Sequence, residues 1–195
     1  MSKVQVDTID TRSGTSTMQI GSTNTSTINI GVSGDTVNIP SGVTIANAGT
    51  ATGFGESNTP AFMGFSSANQ SIAYDTDTKL TIGTESYDTD SAFSSSRFTV
   101  PSGKAGKYMF GGQCRISSIA DEKTMQLMVY KNGSSLDRAK TKFRNAGTSS
   151  MATNVVFCDD ASVGDYYELY VYHDRNSTET ANSGHTTFWG FRITS

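Results

Sequence analysis

The sequence is poor in leucine and cysteine, and each shortage excludes a class of protein. Only four leucines occur among 195 residues, whereas serine and threonine together number 54. A helical bundle needs runs of leucine, alanine, glutamate and lysine, which this chain lacks. The many Thr, Val, Ile, Tyr and Phe residues instead favour an all-β protein. Two cysteines, Cys114 and Cys158, could pair once but are too few for a disulfide scaffold.

The sequence also lacks the features of nucleic-acid-binding, membrane and secreted proteins. The formal net charge is −3, and no segment clusters lysine and arginine, so we expect no nucleic acid partner. No run of 18 apolar residues occurs, so we expect no membrane insertion. The first seven residues have no apolar stretch of the kind that a secretory signal contains.

Composition divides the chain near Pro60. Residues 1–59 hold one aromatic residue, six charged residues and 20 of the 54 serines and threonines. The other 18 aromatic residues follow Pro60. Because large apolar side chains are needed to build a core, we expect one head domain over residues 60–195.

A repeat of nine to ten residues runs through the first part of the chain. The pattern [S/D]-T-apolar-[Q/N]-Ile begins at Ser16, Ser26 and Asp35, and residues 43–45 form a shorter copy. The apolar residues stand two apart, so each unit places them on one face of a short strand. They form the predicted core of a stem: Met18, Ile20, Ile28, Ile30, Val37, Ile39, Val43 and Ile45.

One copy of this segment has too few apolar side chains to fold alone. Two buried aliphatic side chains contribute about 3–6 kcal/mol per unit. Ordering nine or ten residues costs roughly 10–20 kcal/mol. Such repeats become stable when identical chains wrap together. We therefore predict a trimeric β-repeat stem over residues 16–50, an anchor over residues 1–15 and a hinge over residues 51–59. A disordered Ser/Thr-rich linker is the alternative, and the regular repeat argues against it.

The head shows short apolar and alternating segments separated by turn residues. Asn132-Gly133 is the strongest hairpin signal, because both residues tolerate positive φ. Alternation along several of the segments is typical of strands that bury one face in a sandwich. The pattern predicts ten strands, at residues 61–66, 71–73, 79–82, 97–100, 106–116, 124–131, 134–143, 150–158, 166–173 and 186–194.

Three groups of residues in the head form a recognisable series. Phe98-Thr99-Val100-Pro101 precedes Gly106-Lys107-Tyr108-Met109-Phe110, Gly164-Asp165 follows, and Phe188-Trp189-Gly190-Phe191 closes the head. The series resembles the globular head of the complement and tumour necrosis factor (TNF) superfamily. That resemblance implies a ten-stranded jelly roll that assembles as a tight homotrimer. Trp189 and the absence of a collagen stalk depart from it. The implied head core is Phe98, Tyr108, Phe110, Leu169, Phe188 and Phe191.

A β-repeat stem followed by a trimeric head resembles the tail fibres and head fibres of bacteriophages. The resemblance implies a virion structural protein that is assembled in the host cytoplasm, is exposed on the particle and contacts other virion proteins through its N-terminus. Because the host cytoplasm is reducing, it also favours a free buried pair of Cys114 and Cys158 over a disulfide. A tail fibre, that is, a receptor-binding adhesin for a host surface glycan or protein, is the favoured interpretation. A capsid decoration or head-fibre protein and a cellular, spore-coat-like surface trimer are the alternatives.

The sequence offers no convergent catalytic or metal-binding set. His173 and His185 flank one predicted loop, and acidic neighbours such as Asp121-Glu122 do not face each other across a cleft. Asp75-Thr76-Asp77 and Asp88-Thr89-Asp90 could offer oxygens to Ca²⁺, but no glycine-centred twelve-residue loop accompanies them. We therefore predict a protein that is not an enzyme and has no metal or cofactor.

Three polar loops are the candidate receptor-binding site. If the last strand ends beside the stem, residues 117–123, 144–149 and 174–185 lie together at the far tip of the head. Loops on a rigid scaffold are where recognition often occurs, and a twelve-residue loop is long enough to suggest a function. The candidate residues are Asp121, Glu122, Arg144, Asn145, Asp174, Arg175, Asn176 and His185.

Overall fold

The computed structural model describes residues 20–21, 23–46 and 58–194. The chain divides into two compact units, Met1–Thr52 and Gly53–Ser195. The described residues contain no helix, and accordingly no helix that is long and apolar enough to cross a membrane. The predicted anchor, Met18 and most of the predicted hinge lie outside the described residues.

The described part of the first unit consists of extended segments joined by turns. Turns occur at residues 23–24, 33–34 and 41–42, and the neighbouring glycines, including Gly34 and Gly42, have positive φ. No strand forms in these residues of a single chain. The aliphatic side chains predicted for the stem core are all largely exposed: Ile20, Ile28, Ile30, Val37, Ile39, Val43 and Ile45. The stem and its strand pairing therefore stay a prediction.

The second unit is built from thirteen strands. They are β1 (Ala61–Phe65), β2 (Gln70–Ile72), β3 (Thr78–Lys79), β4 (Thr84–Asp88), β5 (Phe93–Ser94), β6 (Arg97–Thr99), β7 (Gly106–Ile119), β8 (Thr124–Lys131), β9 (Ser134–Arg144), β10 (Ser149–Ala161), β11 (Tyr166–His173), β12 (Glu179–Ala181) and β13 (Thr187–Thr194). Asn132 and Gly133 form the predicted two-residue hairpin between β8 and β9, both with positive φ.

The strands form two antiparallel sheets. The first has the order β2-β12-β7-β13-β1-β4, with β10 also paired to β7, and the second has the order β5-β6-β11-β8-β9, with β3 paired to β11. Successive long strands from β7 to β13 repeatedly cross between the sheets, as the two Greek keys of a jelly roll require. The predicted all-β sandwich is therefore confirmed.

Three of the thirteen strands were not among the ten predicted. Strand β4 is mostly exposed at the edge of its sheet, so its sequence shows no apolar alternation. Strand β5 has only two residues. Strand β12 lies inside the segment 174–185, which was predicted to be a loop, and pairs with β2 and β7. Short strands that take their pairing from neighbours leave little periodic signal.

Aromatic rings fill the space between the sheets. Phe62 stacks on Phe93 and Phe98, with ring centroids 4.8 Å and 4.7 Å apart. The ring centroids of Phe110 on β7 and Tyr167 on β11 lie 4.2 Å apart, so this contact connects the two sheets. Five of the six predicted core residues are fully buried: Phe98, Tyr108, Phe110, Leu169 and Phe188.

Phe191 is the exception, and the prediction that it belongs to the core is wrong. It is half-buried, whereas Phe188, Gly190 and Arg192 of the same strand are buried. Side chains alternate between the two faces of a strand, so residues three positions apart point in opposite directions. Phe188 enters the core, and Phe191 therefore lies on the outer face of the first sheet, where it stacks with Trp189.

The two cysteines also lie on opposite faces. Cys114 is buried in the core and Cys158 is exposed on the outward side of β10, and both are free. The predicted buried pair is therefore half right, because only Cys114 is buried. Burial raises the pKa of the Cys114 thiol to about 12.

A charged cluster ties the two sheets together at the edge formed by β10. The inward-facing Asp159 accepts a hydrogen bond of 2.6 Å from the Tyr167 hydroxyl, lies 3.0 Å from Lys131 Nζ and pairs with Arg138. Burial opposes ionisation of Asp159, but these three partners outweigh it and hold the pKa of the carboxyl below its ordinary value. This charged cluster replaces apolar packing where the core ends.

Strand β9 forms one edge of the second sheet and is strongly basic. Lys140, Lys142 and Arg144 occupy alternate positions on it, and all three are exposed. Lysine on an edge strand discourages another strand from pairing there.

Candidate recognition surfaces

The three loops predicted to form the tip lie at the same end of the sandwich. They follow the end of β7, the end of β9 and the end of β11. Strand β13 begins at this end and runs antiparallel to β7. At the opposite end, Arg192 near the close of β13 donates its N–H to the Pro60 carbonyl. The start of the head and the end of its last strand are thus together, away from the three loops.

The first two loops are fastened to each other. The Glu122 N–H donates to the Asn145 carbonyl at 2.9 Å, and Arg144 Nη2 lies 3.2 Å from Glu122 Oε2. The Gly147 N–H donates to Asp121 Oδ1 at 2.6 Å. These bonds hold both loops in one conformation, while Asp121, Glu122 and Arg144 remain exposed.

Asn145 was predicted to lie on the tip surface, but the structure places it elsewhere. Its side chain is buried, and Nδ2 donates to the Ile119 carbonyl at 2.6 Å. The side chain of Asn145 therefore stabilises the loop from its buried side.

The third segment, residues 174–185, is partly a strand and is anchored at both ends. Asp174 accepts hydrogen bonds from Thr124 N–H at 2.6 Å and Oγ1 at 2.8 Å, and these bonds lower its pKa despite partial burial. Arg175 Nη1 bonds to Glu179 Oε1 and to the Ser118 carbonyl. Asp174 and Arg175 therefore fasten the segment to its neighbours.

Two predicted tip residues in this segment keep exposed side chains. Asn176 and His185 are exposed, and His185 Nε2 lies 3.4 Å from Arg115 Nη1. The outward-facing set at the tip is therefore Asp121, Glu122, Arg144, Asn176 and His185.

A second candidate surface, which the sequence predictions missed, is the outer face of the first sheet. Alternate positions on β1, β13, β7 and β10 place large apolar side chains on it. We name this surface the apolar face and define it by Met63, Met109, Val156, Trp189 and Phe191. Register pairs Met63 with Trp189, and Phe191 with Met109. Val156 is 51% exposed, and the other four are half-buried in a single chain.

Trp189 lies across the backbone of β7 in the middle of the apolar face. Its register partner is Gly111, and a Cβ at Gly111 would overlap the indole ring. Residues 109 and 111 on β7, and 189 and 191 on β13, all occupy outward-facing alternate positions. This alternation in the sequence could have revealed the apolar face.

The described residues hold no group of three or more metal-ligating side chains. His173 is fully buried, with Nε2 3.1 Å from the Ile72 carbonyl, whereas His185 is exposed at the tip. The two histidines that flank the third segment thus have different environments.

No family model and no curated protein matches this chain. Among solved structures, the chain is similar to the globular domain of zebrafish complement 1qA protein. The two share 17% identity with a TM-score of 0.47, over 70% of this chain and 98% of that one.

Proposed function

We propose that the chain is a non-enzymatic, homotrimeric structural protein of a bacteriophage virion that serves as a receptor-binding tail fibre. The apolar face supports the homotrimeric part of this proposal, and the resemblance of the repeat and head to phage fibres supports the virion part. A protein that stays monomeric rarely leaves a continuous patch of large apolar side chains in water. The exposed aliphatic rows of the first unit add a second surface of the same kind.

Threefold assembly follows from the motifs of the head, whose resemblance to the TNF and complement superfamily implies a trimer. One apolar face on each chain suits a closed ring of identical contacts. Association would bury Trp189 and Phe191, and aromatic residues of this kind dominate the energetics of interfaces.

Recognition at the tip is supported by the rigidity of its loops. Because the loops are already held by internal hydrogen bonds, a ligand would not have to order them. A trimer presents three copies of the tip, and multivalency raises apparent affinity by ~10²–10⁴ where the receptor repeats. A host surface glycan offers such repeats.

Two measurements test the proposal. Light scattering on the purified protein should give three times the chain mass of 20.8 kDa, and a folded single chain would contradict it. Immunogold labelling of particles should place the protein at the tail. Labelling over the whole shell would instead indicate capsid decoration, and its absence from particles would reject the virion role.

Adsorption to host cells tests the tip. Replacing Asn176 and His185 with alanine should weaken adsorption and leave the trimer intact, because both side chains are exposed. The matched control replaces Ser102 and Val163, which are exposed at the opposite end of the head. Equal adsorption by the two variants would exclude Asn176 and His185 from the receptor site.

A further inference from the structure

The outer face of the second sheet is lined with tyrosine. Tyr166, Tyr170 and Tyr172 occupy alternate outward positions on β11, and Tyr130 stands outward on the neighbouring β8. Tyr74, on the segment before β3, immediately precedes Asp75, which accepts a hydrogen bond from the Tyr172 hydroxyl, and is 47% exposed. We name these five residues the tyrosine face. A solvated sheet face usually carries mixed polar residues, so five tyrosines on one face suggest a function for that face.

The tyrosine rings are held in place by carboxylates and by each other. The Tyr172 hydroxyl donates to Asp75 Oδ1 at 2.7 Å, and the Tyr130 hydroxyl donates to Asp77 Oδ2 at 2.5 Å. Tyr130 also stacks on Tyr170, with ring centroids 3.9 Å apart. The bond to Asp75 raises the pKa of Tyr172 to about 12.

A buried layer lies beneath the rings. Glu168 is only 3% exposed although it points outward, because Lys79 Nζ at 2.7 Å and Arg97 Nε at 2.8 Å cover it. Arg97 in turn lies 3.9 Å from the centre of the Tyr166 ring. The outward-facing Met128 is also buried. The face is therefore a fixed structure, and binding would cost little side-chain entropy.

The chemistry of this face differs from that of the apolar face. Lys142, Gln126 and Tyr172 share one row across the sheet, and Asp75 lies beside that row. Cations and carboxylates alternate with phenol rings, so no single charge dominates. The one large aliphatic side chain, Met128, is already buried. A polar, uncharged ligand that offers both hydroxyl groups and flat C–H faces matches this combination of phenol rings, carboxylates and cations.

We propose that the tyrosine face binds a neutral glycan. Sugar hydroxyl groups can donate to Asp75 and Asp77 and accept from Lys142, while sugar C–H faces pack against the phenol rings. This inference rests on the proposed role in surface recognition and places a second binding surface on the side of the head, apart from the tip. Because it lies on the opposite sheet from the apolar face, assembly through that face leaves it accessible.

Electrophoresis of the full chain through native gels tests the proposal, with dextran, galactomannan or xylan cast in the gel. At least one of these neutral polysaccharides should retard the protein. Replacing Tyr74 and Tyr172 with serine should weaken that retardation about tenfold or more, as loss of a central aromatic contact does. The matched control is Tyr87→Ser, because Tyr87 is 49% exposed on β4 of the other sheet. Since Tyr87 pairs in register with Met63 of the apolar face, light scattering must show that this control is also an intact trimer. If the double variant fails to fold, Tyr74→Ser alone, in an exposed segment, serves instead.

The outcomes separate this inference from the proposed function. Loss of retardation in the tyrosine variant, with an intact trimer by light scattering, supports a glycan site on this face. Retardation by polygalacturonate alone, by no polysaccharide, or equally for the tyrosine variant and Tyr87→Ser overturns it. In each of those cases a trimer that still adsorbs to host cells through its tip leaves the proposed function standing.

Discussion

The indole of Trp189 lies flat over Gly111, at a point where the sheet has no side chain of its own. The glycine lets the ring lie close to the backbone, in space that any other side chain at position 111 would take. An apolar surface can then pack against an identical copy only if the indole keeps this place, because interface cores are densely packed. The pair therefore links one glycine of the sequence to the assembly of the protein.

Gly111→Ala should weaken the trimer without unfolding the head. A new methyl group would force the indole outward, and overpacking of this kind costs about 1–3 kcal/mol, or roughly tenfold in association for each 1.4 kcal/mol. Sedimentation equilibrium of the variant against wild type measures the effect. The control is Gly83→Ala, where an added Cβ meets nothing. Equal association of both variants would contradict the role of Trp189.

Gly112, the next residue along β7, tests packing in the core between the two sheets. A Cβ at Gly112 would come within 2.7 Å of Leu169 Cδ1, which is buried between the sheets. Gly112→Ala should therefore lower the free energy of unfolding by about 1–3 kcal/mol. Urea denaturation at several protein concentrations checks this, because a loss in the core does not depend on concentration.

Phe188 and Phe191 should behave differently when each is replaced by alanine. Phe188 is fully buried, so Phe188→Ala should lower the free energy of unfolding by about 3–5 kcal/mol. Phe191 lies on the apolar face, so Phe191→Ala should chiefly reduce the trimer fraction. Thermal unfolding and light scattering on both variants separate the two effects. A loss of core stability in Phe191→Ala as large as in Phe188→Ala would refute the outward placement.

Acid should destabilise the head through carboxylates such as Asp159. Its folded pKa lies below the ordinary 3.8, so its contribution to stability is complete above that value and is lost as the pH falls through the folded pKa. Asp159→Asn should therefore make the free energy of unfolding less dependent on pH below about 5. Asp160→Asn is the control, because the Asp160 side chain is mostly exposed. Identical pH profiles for the two variants would disprove the role of Asp159.

The two thiols should differ in reactivity. Cys114 is buried and the pKa of its thiol is raised to about 12, so iodoacetamide should label it only after unfolding. Cys158 pairs in register with Met109, which belongs to the apolar face. It should react quickly in a dissociated variant such as Trp189→Asp and slowly in the trimer. Mass spectrometry of timed samples gives both rates.

Much of the fold could be predicted from the sequence because the long strands alternate clearly. The hairpin at Asn132-Gly133 was predicted from the local pattern, and five of the six core residues implied by the family resemblance are buried. Strand β12 could not be, because its three residues gain their structure from pairing with β2 and β7. Non-local pairing of this kind leaves no periodic signal.

The recognition surfaces were predicted less completely, since sequence patterns do not show which polar side chains bond to each other. Asn145 is polar but buried beneath its loop, so counting polar loop residues overestimated the exposed tip. Trp189 and Phe191 were interpreted from the motif Phe188-Trp189-Gly190-Phe191, when strand parity would have placed both outward. The tyrosine face was missed because its residues come from three separate segments.

The basic residues on β9 limit how such molecules can aggregate. Lys140 and Lys142 repel the same edge of a neighbouring copy, so two heads do not pair strand to strand through β9. At high protein concentration, this edge of the second sheet therefore does not seed fibrils.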